Sequence, residues 1–420
     1  METKNLYEIN YQSLAEHNPL LADCLTDCSE NVSIEELCSK VGLPTARVSY
    51  DSKRAILLHS LYNPEEEARK AVEKFDLEGK DLIIILGFGL GYYGFEVLKR
   101  NPLSYLIIIE EHPSLFKKAM ELLDLRPFFS SRRVFLLLGA DRMEIKRKLT
   151  ELLGRLLEVK VQFLIHPSIQ LGQVYYQHCL DLMDGGCGSE NEKIPSLNET
   201  TKYYRDLPPR IAAYSPSFQQ EILKDYFFRL GLDYRANALD LCSGGGANIP
   251  TLLAYFSKVV AVDISREALI LSKKNYGANR VHYEVADACN LPFDRGFFDL
   301  VVCTEALELI PDAEKVIEEI QRVLKRGGHI IISTPNYLNL IGILKKRRDR
   351  ILKSERWNPW GINIRGGFER HFTPPRLKRL LKGRFKILTA RVSKERPVTV
   401  SILNTWTDTH HIWRIPRSIK

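Results

Sequence analysis

Two strand-like runs joined through a glycine turn and a helix constrain this chain more than any other feature. Ala238 to Leu241 reads as a short buried strand, Ser243 to Gly246 as a turn of small residues, and Ile249 to Phe256 as a helix. Lys258 to Asp263 reads as a second strand that ends in a carboxylate. That order belongs to a parallel sheet that binds nucleoside cofactors at the carboxyl ends of its strands. Gly244 and Gly246 let the backbone turn sharply and approach a ligand with no Cβ in the way. Asp263 lies about 20 residues after the turn, where a carboxylate can accept from both ribose hydroxyls. Asp240, at the mouth of the first strand, can hold loop amides or a ligand ammonium group. A dinucleotide fingerprint would read G-x-G-x-x-G. The spacing here is D-x-C-x-G-x-G, which is different.

This stretch resembles the first motif, D-x-G-x-G-x-G, of the class I S-adenosylmethionine-dependent methyltransferases. Asp240, Gly244 and Gly246 match it, and Cys242 stands where the family most often has its first glycine. Further matching segments follow in the family's order. They are Val285-Ala286-Asp287-Ala288, then Asn290-Leu291-Pro292-Phe293, then Phe298 to Cys303 as a fourth strand, then Thr304 to Asp312 as the loop over the active site. Leu324 to His329 resembles the L-K-P-G-G turn before a fifth strand, and Leu309 stands where many relatives have His. The resemblance covers residues 215–392. It implies a seven-stranded class I sheet, S-adenosyl-L-methionine as cofactor, and methyl transfer. It puts the cofactor against Asp240, Cys242, Gly244, Gly246, Asp263, Ile264, Asp287, Ala288 and Thr304, with Asp287 reading the adenine amino group.

At 420 residues the chain exceeds the roughly 250–300 that one core supports, so two domains are expected. Residues 1–50 carry helical patterns at Gln12 to Cys24 and at Ser33 to Val41, the latter with Ser33 and Glu36 spaced as a capping box. Asn63-Pro64 followed by three glutamates predicts a helix from Pro64 to about Phe75. Asp81 to Leu86 is a fully buried strand, Gly87 to Gly91 a turn, Tyr92 to Arg100 a helix, and Tyr105 to Ile109 a second strand leading to Glu110. Val134 to Leu138 and Val161 to Ile165 extend this sheet. The expectation is an α/β protein of two Rossmann-like doubly wound domains. Residues 51–185 form the first, 186–214 a Gly-, Ser- and Asn-rich linker and lid segment, and 215–420 the second.

The first domain resembles the N-terminal domain of the Maf-type motility-associated flagellin glycosyltransferases. His59-Ser60-x-Tyr62-Asn63-Pro64-x-x-Glu67-Ala68, Gly87-Phe88-Gly89-Leu90-Gly91-Tyr92 and Ile108-Ile109-Glu110 carry the likeness. The family's central domain is replaced here by the methyltransferase-like half, so the resemblance implies a surface-glycan context and not glycosyl transfer. The Gly87 to Gly91 turn is either a nucleotide site or a ligand-free strand-to-helix turn. Glu110 is either a nucleotide ligand or a solvated strand end. An NAD-dependent reading lacks its G-x-G-x-x-G.

On the acceptor side, residues 337–372 form an insert after Ile331 to Asn336. It holds the basic run Lys345 to Arg350, Trp357-Asn358-Pro359-Trp360, and Glu369-Arg370-His371-Phe372-Thr373. The basic run is either a solvated helix face or, through 337–360, a peripheral contact to an anionic membrane or acceptor. Tyr203 to Pro209 is a candidate lid, and His410-His411 reads as a surface pair. A hydroxyl acceptor benefits from a general base, for which His371 and then Glu305 are the candidates. The eight cysteines lack C-x-x-C spacing or paired His clusters, which argues against zinc, and no metal is expected. A net charge of +8 permits an anionic substrate, while no nucleic-acid module is visible. No run reaches the ~18 uncharged apolar residues of a membrane span, and Met1-Glu2-Thr3-Lys4 opens no signal region, so a cytoplasmic protein is expected. The functional expectation is an S-adenosylmethionine-dependent O-methyltransferase acting on a small molecule, sugar or surface-glycan intermediate. The alternative is a non-catalytic scaffold in glycan assembly.

Overall fold

The computed structural model describes residues 5–26, 32–51, 54–157, 159–172, 175, 176, 179, 217–335, 372–392 and 398–405. The linker, the candidate lid, residues 337–371 with the basic run and His371, and His410-His411 lie outside the described residues. The chain divides into two compact units. The first holds residues 1–193 and Pro292–Asp294, the second residues 194–291 and 295–420.

The first unit begins with helices α1 (Leu6–His17) and α2 (Pro19–Thr26) in place of one helix over Gln12 to Cys24. Pro19 has no N–H to give a helix and pushes the residue before it out of the α region. Asn18 accordingly sits at φ −147, ψ 77, and its side chain accepts from Leu21 N at the start of α2.

The helix expected over Ser33 to Val41 is also overturned. Ser33–Cys38 is a strand, β1, antiparallel to β2 (Pro44–Asp51), which pairs in turn with β3 (Arg54–Leu57). Gly42 at φ 82 turns the chain back, and Ser39 Oγ accepts from Leu43 N at 3.0 Å. The ladder sets Ile34 opposite Val48 and Leu37 opposite Thr45, and Arg47 reaches Glu35 across the strands at 2.7 Å. A capping box satisfies two amides; pairing with β2 satisfies the alternate backbone groups that face it along the strand.

Helix α3 (Pro64–Glu73) follows the expected rule. Asn63 Oδ1 accepts from Glu66 N at 3.0 Å, and Pro64 fills the first helical position. Next come β4 (Leu82–Leu86), α4 (Tyr92–Arg100), β5 (Tyr105–Glu110), α5 (Pro113–Leu122), α6 (Arg126–Ser130), β6 (Val134–Leu138), α7 (Arg142–Leu153) and β7 (Val161–Ile165). Among the described residues the strands form a parallel sheet ordered β6-β5-β4-β7. Every residue of β4 and β5 is buried. Ile83, Ile85, Leu106 and Ile108 join one core cluster while Leu82, Ile84, Leu86, Ile107 and Ile109 join another. Both faces are covered, which is why the strands read as unbroken apolar runs.

The turn between β4 and α4 is sealed by its own chain. Glu110 is 1% exposed. It accepts from Phe88 N at 2.7 Å, His112 N at 2.9 Å and Tyr176 Oη at 3.1 Å. Burial raises its carboxyl to about 7. His59 and His166 lie over the turn with ring centroids 4.7 Å apart, and His59 Nε2 accepts from Leu90 N at 3.0 Å. A Cβ on Gly89 would stand 2.4 Å from His166 Cε1 and 2.7 Å from His59 Nε2. Glu110 is therefore neither a solvated strand end nor an accessible carboxylate.

The second unit contains α8 (Ser217–Leu230), β8 (Ala238–Leu241), α9 (Ile249–Tyr255), β9 (Val259–Asp263), α10 (Arg266–Tyr276), β10 (Val281–Val285), β11 (Phe298–Thr304), α11 (Ala313–Val323), β12 (Leu324–Pro335), α12 (Pro374–Leu381), β13 (Phe385–Val392) and β14 (Val398–Thr405). The described strands form one sheet ordered β10-β9-β8-β11-β12-β14-β13. β14 runs antiparallel to both of its neighbours, while β8 to β12 are parallel. The expected turn at Leu324 to His329 is a bulge inside β12. Phe298 pairs with Leu324 and Leu300 with His329, Gly327 absorbs the excess at φ 80, and Lys325 Nζ reaches Asp299 at 2.8 Å. Tyr226 and Phe227 of α8 pack with Leu252 and Phe256 against Ala238, Leu300 and Val302. The order places β9 on one side of β8 and β11 on the other. The carboxyl ends of these strands are thus a topological switch point, where open α/β sheets bind ligands.

The buried histidine pair gives the first unit a defined pH response. Burial lowers His59 and lowers His166 well below the ordinary imidazole value. A base whose folded pKa is depressed takes up a proton on unfolding. Its contribution is complete above about 6.5 and is lost as pH falls, with a slope near 1.4 kcal/mol per pH unit for each proton. Glu110 acts in the opposite sense. His166→Asn keeps an acceptor for Ser168 N and isolates the histidine term. Between pH 7 and 5 the unmodified chain should lose more stability than this variant in urea unfolding followed by hydrogen exchange within β4 and β5. Parallel losses would refute the assignment.

Candidate active site

The carboxyl ends of β8, β9, β10 and β11 lie side by side in the sheet, and they carry the residues expected to hold a cofactor. Asp240 is fully buried near the end of β8. Its Oδ1 accepts from Asn248 Nδ2 at 2.9 Å, and Oδ2 is buried without a partner. Burial raises its carboxyl to about 7; the nearby Asp263 charge pushes the same way and Asn248 opposes both.

The turn that follows is built on left-handed backbone. Cys242, Gly244 and Gly246 have φ of 56, 52 and 84. Glycine adopts this region freely, whereas an L-residue such as Cys242 pays for it. Cys242 is half-buried, and its thiol is raised well above its ordinary value, first by a hydrogen bond with Cys303 of β11 and then by burial. The turn also approaches α10 closely. A Cβ on Gly246 would stand 2.2 Å from Ser272 Oγ and 2.8 Å from Tyr276 Cε2.

Asp263, at the end of β9, fastens this turn. Oδ2 accepts from Gly244 N at 2.8 Å and Oδ1 from Ser265 N at 2.9 Å. Its side chain stays partly exposed, so each oxygen keeps a lone pair for a further donor. Burial raises its carboxyl, and the amides of Ser265, Gly244 and Ile264 pull it back. Ile264 follows it, half-buried. After β10, Asp287 is partly exposed and uses Oδ1 to accept from Cys289 N at 2.8 Å, while Ala288 is buried beside it. Thr304 ends β11, and its Oγ1 accepts from Asn248 Nδ2 at 2.9 Å.

Glu305 follows Thr304 and is the second non-glycine residue with positive φ among the described residues, at 52. Its N–H donates to Ser333 O at 2.9 Å, and Ser333 Oγ donates to its Oε1 at 3.3 Å. Two strained residues, Cys242 and Glu305, thus stand at the ends of adjacent strands. Strain of this kind, ~1–3 kcal/mol each, concentrates at functional sites. His371, the other candidate base, lies outside the described residues.

Asn248 was not singled out from sequence. Asn before Ile-Pro reads as an ordinary helix cap. Here it sits at the N-cap of α9 with αR backbone and makes no side-chain cap. Its carboxamide instead joins Asp240 and Thr304. Ser333 was likewise missed, because a serine late in a buried strand gives no signal of its own.

Residues 239–332 match a protein family described as Methyltransferase domain. A demethylmenaquinone methyltransferase from Clavibacter sepedonicus is 40% identical over 101 residues, covering 23% of this chain and 41% of that protein. A ubiquinone biosynthesis O-methyltransferase from Coxiella burnetii is 33% identical over 103 residues, 24% of this chain and 44% of the relative. The chain spans about half or less of the curated relatives it matches. Of solved structures, an S-adenosylmethionine-dependent methyltransferase from Methanosarcina mazei aligns with 42% of this chain and 96% of its own, at 21% identity and a TM-score of 0.37. The second unit thus carries a methyltransferase domain, and S-adenosyl-L-methionine is the cofactor of such a domain. The site fits it. An orphaned buried acceptor on Asp240, an open backbone turn and a partly exposed Asp263 suit an ammonium group, a nucleoside and its ribose hydroxyls.

The clearance at Gly246 gives a direct test. Gly246→Ala combines a sub-van der Waals contact with left-handed backbone and should cost ~2 kcal/mol or more. Urea unfolding should show it, and Gly246→Ala combined with Ser272→Ala should recover only the part due to the Ser272 Oγ contact, with Tyr276 and the backbone strain remaining.

Proposed function

We propose that the whole chain is an S-adenosylmethionine-dependent methyltransferase that methylates an oxygen of a small-molecule acceptor. The observation that supports this most is Asp263. It fastens the glycine turn with both oxygens yet stays partly exposed at the strand switch point of a methyltransferase domain. The cofactor's sulfonium supplies an already activated methyl group. The chain therefore needs to bind, orient and deprotonate, with no metal or covalent intermediate required.

Asp263 would hold the ribose hydroxyls and Asp287 the adenine amino group, with Ile264 and Ala288 lining the base. Asp240 would face the ammonium end, and the Cys242 to Gly246 backbone would lie along the amino-acid chain. Glu305 is the candidate base for the acceptor hydroxyl. Its left-handed backbone and its bond from Ser333 hold the carboxylate in one place, and positioning of this kind is what methyl transfer requires. His371 is the competing base.

The acceptor is a small molecule, as the quinone-pathway names of the relatives favour. The Maf-type resemblance of the first unit directs the choice further, toward a sugar or surface-glycan intermediate. The charge of +8 and the basic run at Lys345 to Arg350 suit an anionic acceptor or an anionic membrane holding one. The strand order with its antiparallel β14 supports the reading of a seven-stranded class I sheet.

Calorimetric titration with S-adenosyl-L-methionine tests the reading. The unmodified chain should bind, and Asp263→Asn, which keeps one acceptor oxygen, should bind ~10-fold or more weakly. Absence of binding by the unmodified chain would leave a non-catalytic scaffold as the reading. Glu305→Gln should retain cofactor affinity and lower turnover on the true acceptor by ~100-fold or more. Full turnover in that variant would transfer the base role to His371.

A further inference from the structure

We propose that Asn248 is a positioning residue of the cofactor site. One carboxamide ties Asp240 Oδ1 to Thr304 Oγ1, which leaves Asp240 Oδ2 as the oxygen for the cofactor's ammonium group and sets the acid limit below which the cofactor is released. This rests on the methyltransferase reading.

The geometry carries the assignment. Asn248 is 4% exposed. Its Nδ2 lies 2.9 Å from both Asp240 Oδ1 and Thr304 Oγ1, so each of its two amide hydrogens has an acceptor. Asp240 and Thr304 sit on adjacent parallel strands, in a ladder that pairs Val302 with Asp240. The amide therefore bridges β8 and β11 beyond their last backbone pairing. Asp240 is left with one oxygen occupied and one buried and unpartnered. A buried carboxylate oxygen without a donor is costly, and a ligand N–H removes the cost.

The bridge also acts on charge. Asn248 donates to the ionised form and so holds the Asp240 carboxyl down, against burial and against Asp263 on β9. Among the described residues Tyr283 on β10 also couples to Asp240, and it is raised chiefly by its own burial. Thr304 does not titrate. With the amide gone, only the groups that oppose ionisation remain, and the carboxyl rises further.

A ligand ammonium needs Asp240 ionised and its own amine protonated. Affinity for S-adenosyl-L-methionine should therefore fall at low pH as Asp240 gains a proton. It should fall again at high pH as the α-amino group, near 7.7–8.0 when free, loses one. Calorimetry from pH 5.5 to 8.5 on the full chain should show Asn248→Ala moving the acid limb upward by about one pH unit, about tenfold weaker binding on that limb. The alkaline limb belongs to the ligand and should stay in place. Asn248→Ser keeps one donor and should fall between. Melting temperatures show which variants remain folded, and the serine variant carries the comparison if the alanine one does not. Binding of 5′-methylthioadenosine, which has no amine, should be equal in all folded variants. An unmoved acid limb, or an equal loss of affinity at every pH, would overturn the proposal while leaving the cofactor reading intact. Failure of the unmodified chain to bind S-adenosyl-L-methionine would overturn both.

Discussion

Both units depend on one device: a carboxylate at the end of a strand that ties down the turn leaving the strand beside it. In the second unit Asp263 takes Gly244 N with one oxygen and Ser265 N with the other. In the first, Glu110 takes Phe88 N and His112 N in the same way. Backbone amides in a tight turn at the top of a parallel sheet find no ladder partner, and buried amides without acceptors are costly. One carboxylate solves this for two amides and fixes the path of the chain into the following helix.

The two copies of the device have diverged in what they leave over. Glu110 carries a third bond from Tyr176, lies in the interior, and has His59 and His166 filling the space above its glycines. Among the described residues Asp263 stays partly exposed and keeps capacity for donors from outside the chain. Burial decides between them. A strand-end carboxylate that ties a turn amide and an amide two residues after itself makes a closed structural joint in one unit and a candidate ligand contact in the other.

This is also where sequence reading reaches its limit. The strand-turn-helix units around Gly87 and Gly244 were legible because fully buried strands and glycine turns leave strong local signals. So were Asn63-Pro64 and, in the second unit, the strands at Ala238 to Leu241, Lys258 to Asp263 and Phe298 to Cys303. The strand at Ser33 was not legible, because it lies with most of its side chains in solvent and shows no period-two alternation. Its partner at Pro44–Asp51, not its own residues, makes it a strand. The single helix expected across Gln12 to Cys24 ignored what Pro19 does to Asn18. The Lys325 to Gly328 segment looked like a turn because Gly-Gly is ambiguous between a turn and a bulge; the partner strand β11 settles it. At the site, the carboxylates and glycines stood out by type and spacing. Asn248 did not, because its role depends on which way an amide faces and on two residues from different strands.

The left-handed backbone at Cys242 and Glu305 also shapes how this chain can drift over evolutionary time. At most surface and loop positions drift is filtered by chemistry, so that similar side chains replace one another. At these two it is filtered first by backbone shape. Glycine and asparagine, neither of which carries a thiol or a charge, enter the left-handed region easily, whereas valine and isoleucine pay heavily for it. The neighbourhood of the site thus has its own substitution alphabet. Lineages of this chain are expected to pass through glycine or asparagine at 242 far more readily than through the residues a similarity matrix would rank as neighbours, while at 305 the same backbone shape is met by a carboxylate that the proposed chemistry also needs.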